Sequence, residues 1–219
     1  MMCLVKLLSM LLFRFDIKWL SNPVVDWENI RLVVLLNHTS LFEPLFIKLA
    51  PTSFIWILSK KLVAPGADIT LQRPIVGKLY KLLLPGCIPI TRKKDDSWAR
   101  FLSYVKADTV TAILPEGRMK RASGKDKYGH EMSVRGGIAD ILEKLDKGNL
   151  LFLYSGGLHH IHTPGDKFPC FFRKVKANLE LVNIEQYKRN ILSQCIEHSH
   201  FKHEVIKDLN QRLKSKLPS

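Results

Sequence analysis

Between Leu32 and Tyr154 the sequence alternates short, unbroken apolar runs with longer stretches whose apolar residues recur at helical spacing. No other feature restricts the fold as strongly. Residues 32–36 (LVVLL) follow Arg31 and run into the polar Asn37-His38-Thr39-Ser40, the pattern of a strand buried on both faces that ends in a loop. Residues 54–58 (FIWIL), 87–90, 110–114 and 150–154 read as further strands, and 179–182 as a later one. Glu43-Pro44 opens a helical stretch to about Ala50, with proline in the first turn and an acid at the positive end of the helix dipole. Residues 74–84 carry Ile75, Leu79, Leu82 and Leu83 at helical spacing and stop at Pro85-Gly86. Helices are also predicted over 96–106, with Trp98, Phe101, Leu102 and Val105 on one side, over 137–147, and over 201–213, with Val205, Leu209 and Leu213 on one stripe. Strands alternating with helices predict an α/β fold: a largely parallel central sheet flanked by helices.

The amino terminus departs from this pattern. Leu4 to Phe13 is apolar except for Lys6 and Ser9, and Phe15, Ile17 and Trp19 then alternate with Arg14, Asp16 and Lys18. Counted from Met1 the run is about 13 residues, and as a helix it spans roughly 20 Å at ~1.5 Å per residue, short of the ~30 Å hydrocarbon core of a bilayer. No Ala-x-Ala-like cleavage pattern follows it. Residues 1–22 are therefore expected to form a membrane-associating segment, a helix at the interface with Trp19 and the cations at headgroup level. A buried core helix is the alternative. Residues 23–219 are expected to form one domain, with no internal repeat or linker.

Thirty-four Lys and Arg against twenty Asp and Glu give a net charge of +14, which favours a polyanionic partner: anionic lipid, phosphorylated substrate or nucleic acid. Nucleic-acid binding lacks support from any recognition helix or aromatic stacking motif. Cys3, Cys87, Cys170 and Cys195 are scattered without a CxxC pair, which argues against structural zinc and for reduced thiols facing the cytosol. His159, His160 and His162, with Asp166 nearby, leave a metal-dependent hydrolase as a competing reading, although no groups that would orient such ligands are recognisable.

Ligands of open α/β sheets bind beyond the carboxyl ends of the strands. Three predicted strands end in suitable groups: Asn37-His38, Thr91-Arg92 and Pro115-Glu116-Gly117. If the strands are parallel neighbours, these groups converge on one edge. Glu43, in the first turn after His38, is placed to hold one ring nitrogen and leave the other as a base toward a hydroxyl. The same spacing also fits a structural histidine with Glu43 serving the helix dipole. Arg92 is suited to bidentate phosphate binding, and Glu116 with Gly117 to holding a hydroxyl near an accessible main chain. Residues 118–135 form a long, polar, basic loop with Arg118, Lys120, Arg121, Lys125 and Lys127, suited to anionic headgroups or donor phosphates.

In this order, Asn37-His38-Thr39-Ser40-Leu41-Phe42-Glu43, Gly86-Cys87-Ile88-Pro89-Ile90-Thr91-Arg92 and Leu114-Pro115-Glu116-Gly117 resemble three motifs of the glycerolipid acyltransferase superfamily, the lysophosphatidate-acyltransferase-like group with a His-x4-acid motif. The resemblance implies an O-acyltransferase of phospholipid biosynthesis. His38 would be the catalytic base and Glu43 its orienting acid. Arg92, Glu116, Gly117 and, by position alone, Arg118 would contact the acceptor. It further implies acyl-CoA or acyl carrier protein as co-substrate, a lysophospholipid-type acceptor (1-acylglycerol-3-phosphate-like), an anionic membrane surface as partner, and no metal or other cofactor. The expected location is the membrane, with the site at its cytoplasmic face. Glu43 stands where the family more often has Asp, and Arg118-Met119-Lys120 where it usually has Thr-Arg-Ser. The fourth, proline-containing motif is not recognisable in residues 152–157. These departures leave a lipid A-like or amino-acid lipid acceptor open.

Overall fold

The computed structural model describes residues 1–21, 24–91, 93, 95–163, 166, 168–195 and 200–218. Among the described residues seven strands form one sheet: β1 (Arg14–Trp19), β2 (Ile30–Leu36), β3 (Leu62–Ala67), β4 (Cys87–Ile90), β5 (Val110–Ile113), β6 (Asn149–Ser155) and β7 (Lys174–Asn183). Their spatial order is β1-β7-β6-β2-β5-β3-β4. Every neighbouring pair is parallel except β6 with β7. Five strands therefore run one way, and β7 with β1 run back along one edge. The predicted α/β architecture with a largely parallel sheet is the one observed.

Parity along β2 assigns the two faces. Leu32, Val34 and Leu36 join the larger core under α5 (Ser97–Ser103), α6 (Gly137–Lys144), α7 (Ile184–Leu192) and α8 (Phe201–Ser215). Phe101, Ile138, Leu142, Tyr187, Val205 and Leu209 fill that layer. Val33 and Leu35 point to the opposite face, covered by α1 (Met2–Leu12), α2 (Thr52–Lys61), the 3-10 segment Glu43–Leu49 and α4 (Val76–Leu83), which the short α3 (Asp68–Leu71) precedes.

Two expectations fail. Residues 54–58 lie within α2, with Phe54 and Ile55 buried and Trp56 exposed. A continuous apolar run carries no periodicity that separates strand from helix. The strand lies just beyond it, at Leu62–Ala67, where Pro65-Gly66 imitates a turn. Pro65 is tolerated because β3 pairs with β5 only through Leu62 and Val63, and with the edge strand β4 through Ala64 to Ala67. Gly86 is required at this junction: a Cβ there would lie 1.6 Å from the Leu62 carbonyl oxygen.

The amino-terminal helix also ends earlier than expected. Arg14–Trp19 is an edge strand paired in parallel with β7, and its strict exposed-intermediate alternation is the period of a half-buried strand. Among the described residues no helix is long and apolar enough to cross a membrane. β7 is longer than the predicted 179–182, and α7 was not anticipated, although Asn183 caps it by accepting from the Gln186 N–H at 3.0 Å.

Candidate active site

β2 stops at Asn37, whose φ of +69° places it in the left-handed region that asparagine tolerates better than most residues. From there Asn37 links three strand ends. Its N–H donates to Glu116 Oε1 (2.6 Å), just past β5, and its side-chain amide donates to the Ser155 carbonyl (2.8 Å) at the end of β6. Lys120 Nζ donates to Asn37 Oδ1 (3.3 Å), and the Lys120 N–H donates to the His38 carbonyl (2.7 Å). Asn37 thus fixes the position from which His38 projects, a role that the motif alone does not reveal.

His38 Nδ1 lies 3.2 Å from Glu43 Oε1. The contact falls outside strict hydrogen-bond geometry and becomes an ion pair when the ring is protonated. Catalytic contacts are often this loose before substrate binds. Glu43 opens the 3-10 segment and is itself held: Oε1 accepts from the Thr39 N–H (3.0 Å) and the Ser40 N–H (2.9 Å). Burial penalises the His38 imidazolium, but the Glu43 carboxylate, helped by Glu116, outweighs it and raises the His38 pKa above its ordinary 6.5. With Nδ1 facing Glu43, Nε2 is the ring nitrogen directed away from that carboxylate.

Glu116 is buried and turned inward, toward Asn37 and His38. Burial raises its pKa, against the opposing influence of the Asn37 N–H and of His38, and Oε2 has no hydrogen-bond partner among the described residues. Gly117 lines the adjacent cavity at φ +65°, where a side chain would be strained and its Cβ would come within 3.2 Å of the Arg135 side chain. Arg118 is paired with Asp126 and lies 5.2 Å from the Tyr128 ring centroid, so its charge organises the 118–135 loop. Arg92 lies outside the described residues; its neighbour Thr91 lines the same cavity.

That cavity, about 600 Å³, runs beneath the covering layer of α1, α2 and α4. Val33, Leu35, Leu151 and Leu153 form its floor, and Met2, Phe54, Leu58, Tyr80 and Leu83 contribute from the helices. His38, Glu43, Gly117 and Thr91 line it from the carboxyl ends of the strands. Its size suits an extended organic ligand, and its lining is overwhelmingly apolar. Tyr80 donates from α4 to the Leu41 carbonyl (2.7 Å), tying the helix to the loop between His38 and Glu43. Burial pushes the Cys87 thiol in this lining up to about 11, so it stays protonated at neutral pH.

Of the three strand ends expected to converge, those of β2 and β5 are adjacent, and β4 lies two places beyond β5 across β3. The histidine cluster is dispersed: the rings of His159, His160 and His162 address the carbonyls of Lys120 (2.8 Å), Lys174 (2.7 Å) and Asp166 (3.2 Å) respectively. No group of three metal-ligating side chains occurs among the described residues.

The acyltransferase family model matches residues 23–157, which hold all three motifs and most of the sheet. The chain belongs to the acyltransferase family. This acyltransferase also shares its fold with the crystal structure of the 1-acyl-sn-glycerophosphate (LPA) acyltransferase PlsC from Thermotoga maritima. The TM-score is 0.54 at 14% identity, over 100% of this chain and 81% of that one. None of the curated proteins compared with the chain matches it.

Proposed function

We propose that this acyltransferase moves a fatty acyl group from acyl-CoA or acyl carrier protein to the hydroxyl of a lysophospholipid-type acceptor, with His38 as general base oriented by Glu43. The observation that carries the reading is the His38–Glu43 pair beside a large apolar cavity at the strand ends. His38 Nε2 takes the proton of the acceptor hydroxyl as its oxygen attacks the thioester carbonyl carbon. The C–S bond then breaks, and the imidazolium gives the proton to the departing thiolate, which leaves as the free thiol. Glu43 stabilises the imidazolium formed between these steps. The cavity accommodates an acyl chain. No metal or other cofactor is assigned a role.

The acceptor is inferred from the fold relative, whose named substrate is 1-acyl-sn-glycerophosphate. Glu43 in the usual place of Asp, and the changed residues after Gly117, keep other lipid acceptors in play, including lipid A-like ones. A panel of lysolipids incubated with labelled donors, read by mass spectrometry, decides among them, and absence of any acylated product refutes the reading. Arg92 is assigned to the acceptor phosphate. Arg92→Ala is expected to raise KM for a phosphorylated acceptor about tenfold or more with a smaller change in kcat, since one charge-assisted contact contributes roughly 1.5–3 kcal/mol. An unchanged KM in steady-state kinetics removes Arg92 from that role.

We assign the membrane as the site of action, at its cytoplasmic face. Support comes from α1, which exposes Leu4, Leu7, Leu8 and Leu11, and from the net charge of +14. Removing the whole segment would delete β1 from the sheet, so substitution is the cleaner test. Leu7→Ser/Leu8→Ser/Leu11→Ser is expected to weaken partition onto anionic vesicles about tenfold or more. Unaltered sedimentation with vesicles would move the anchor off α1.

A further inference from the structure

The helix that walls the cavity carries a second apolar face, directed away from it. On α4, Tyr80 and Leu83 line the cavity, and Gly77 lies so close to α3 that a Cβ would meet the Leu71 carbonyl oxygen at 2.1 Å. The remaining sector is not the polar one expected of a covering helix. Ile75, at its N-cap, is 81% exposed, and Leu79 and Leu82 are 50% and 59% exposed. Their i, i+4, i+7 spacing aligns them in one stripe. Lys78 and Lys81, both exposed, flank it on one side, and Arg73 is exposed just before the helix. Ile69, on α3, adds a further exposed apolar side chain.

We propose that α4 is a second membrane-docking element, which immerses the Ile75–Leu79–Leu82 stripe in an anionic lipid surface while Lys78 and Lys81 meet the headgroups. Three aligned large apolar side chains on so short a helix leave half or more of their surface in water, while the opposite face already fills the core. A lipid interface takes up such a stripe, and flanking lysines extend to its phosphates. The excess of positive charge over the whole chain selects an anionic surface. The placement also has a consequence for substrate. α4 stands between the bilayer and the cavity, and its Tyr80 holds the Leu41 carbonyl in the loop between His38 and Glu43. Lipid contact at α4 therefore lies one helix away from the reacting groups. This consequence rests on the acyltransfer reading above; the docking itself does not.

Three variants test the docking on vesicles of phosphatidylcholine with phosphatidylglycerol and of phosphatidylcholine alone. Ile75→Ser/Leu79→Ser/Leu82→Ser is expected to weaken partition onto both by about tenfold or more. Lys78→Gln/Lys81→Gln is expected to weaken it only on the anionic vesicles, with the difference vanishing at high salt. Ile75→Glu, at the most exposed position of the stripe, gives the same reading should the triple substitution lower Tm. Wild-type partition in both apolar-stripe variants overturns the proposal. Acyl transfer measured in parallel separates the two readings. Lost partition with no turnover by the wild-type enzyme on any acceptor keeps the docking and removes the assigned reaction. Lost turnover on vesicle-embedded acceptor, with turnover retained on a short-chain soluble one, supports both.

Discussion

Replacing His38 by alanine is expected to lower kcat/KM for acyl transfer by about 10²–10⁴-fold, the range of general-base assistance. The fold should be unaffected. The ring makes no in-line hydrogen bond to Glu43, and its side chain is 17% exposed. What holds the loop is main chain and neighbours: the His38 carbonyl accepts from Lys120, and Asn37 joins the ends of β2, β5 and β6. The variant should keep its Tm and its vesicle partition while single-turnover assays with a labelled donor fall toward background. Near-normal turnover would end the proposed mechanism, because no other described base occupies the same place beside the cavity.

Glu43→Gln is expected to lower the plateau of kcat/KM by about 10²-fold and to move the acid limb of the pH profile to lower pH. The sign follows from protonation. As the proposed base His38 acts unprotonated, so activity is expected to fall as pH drops through its pKa. Burial alone would depress that pKa, and the Glu43 carboxylate is the main influence raising it above 6.5. A neutral amide removes that influence, so the ring loses its proton at lower pH but no longer has a charge to stabilise its imidazolium. The amide oxygen can still accept from Thr39 and Ser40, and Tm should change little. Glu43→Ala should behave differently. It strands two buried N–H groups at a cost of roughly 1–3 kcal/mol each, visible as a lowered Tm. An acid limb that stays in place in Glu43→Gln would separate Glu43 from the control of His38.

The site was partly legible in the sequence. His38 and Glu43 could be paired because both lie in one short turn, and local spacing limits how far apart they can be. Gly117 could be placed because its motif sits at a strand end. The roles of Asn37, Tyr80 and Lys120 could not be found, since each acts through a partner distant in sequence: Asn37 with Glu116 and Ser155, Tyr80 with Leu41, Lys120 with Asn37. Arg118 illustrates the reverse. Its place after Gly117 suggests a phosphate contact, but nothing in the sequence signals that the fold brings Asp126 against it.

Fold legibility followed the same division. Residues 32–36, 87–90, 110–114 and 150–154 read as strands because each apolar run is short and bounded by turn residues. Residues 54–58 did not give way to a helix in that reading because apolar continuity erases the period. At 14–19 the alternation was present, but it abutted an apolar helix and was absorbed into it. β3 was hidden by Pro65-Gly66, whose turn character is overridden by pairing with the edge strand β4.

By itself the sequence determined the α/β class, the family, and a histidine and an acid held within one turn, because periodicity and short-range spacing are local properties of the chain. The tertiary structure alone decided that β2, β5 and β6 are neighbours, that β1 closes an edge, that a cavity of about 600 Å³ opens beside His38, and that α4 turns an apolar stripe outward. These depend on which distant segments pair and which faces remain uncovered, and strand pairing between remote segments leaves no mark on the residues between them.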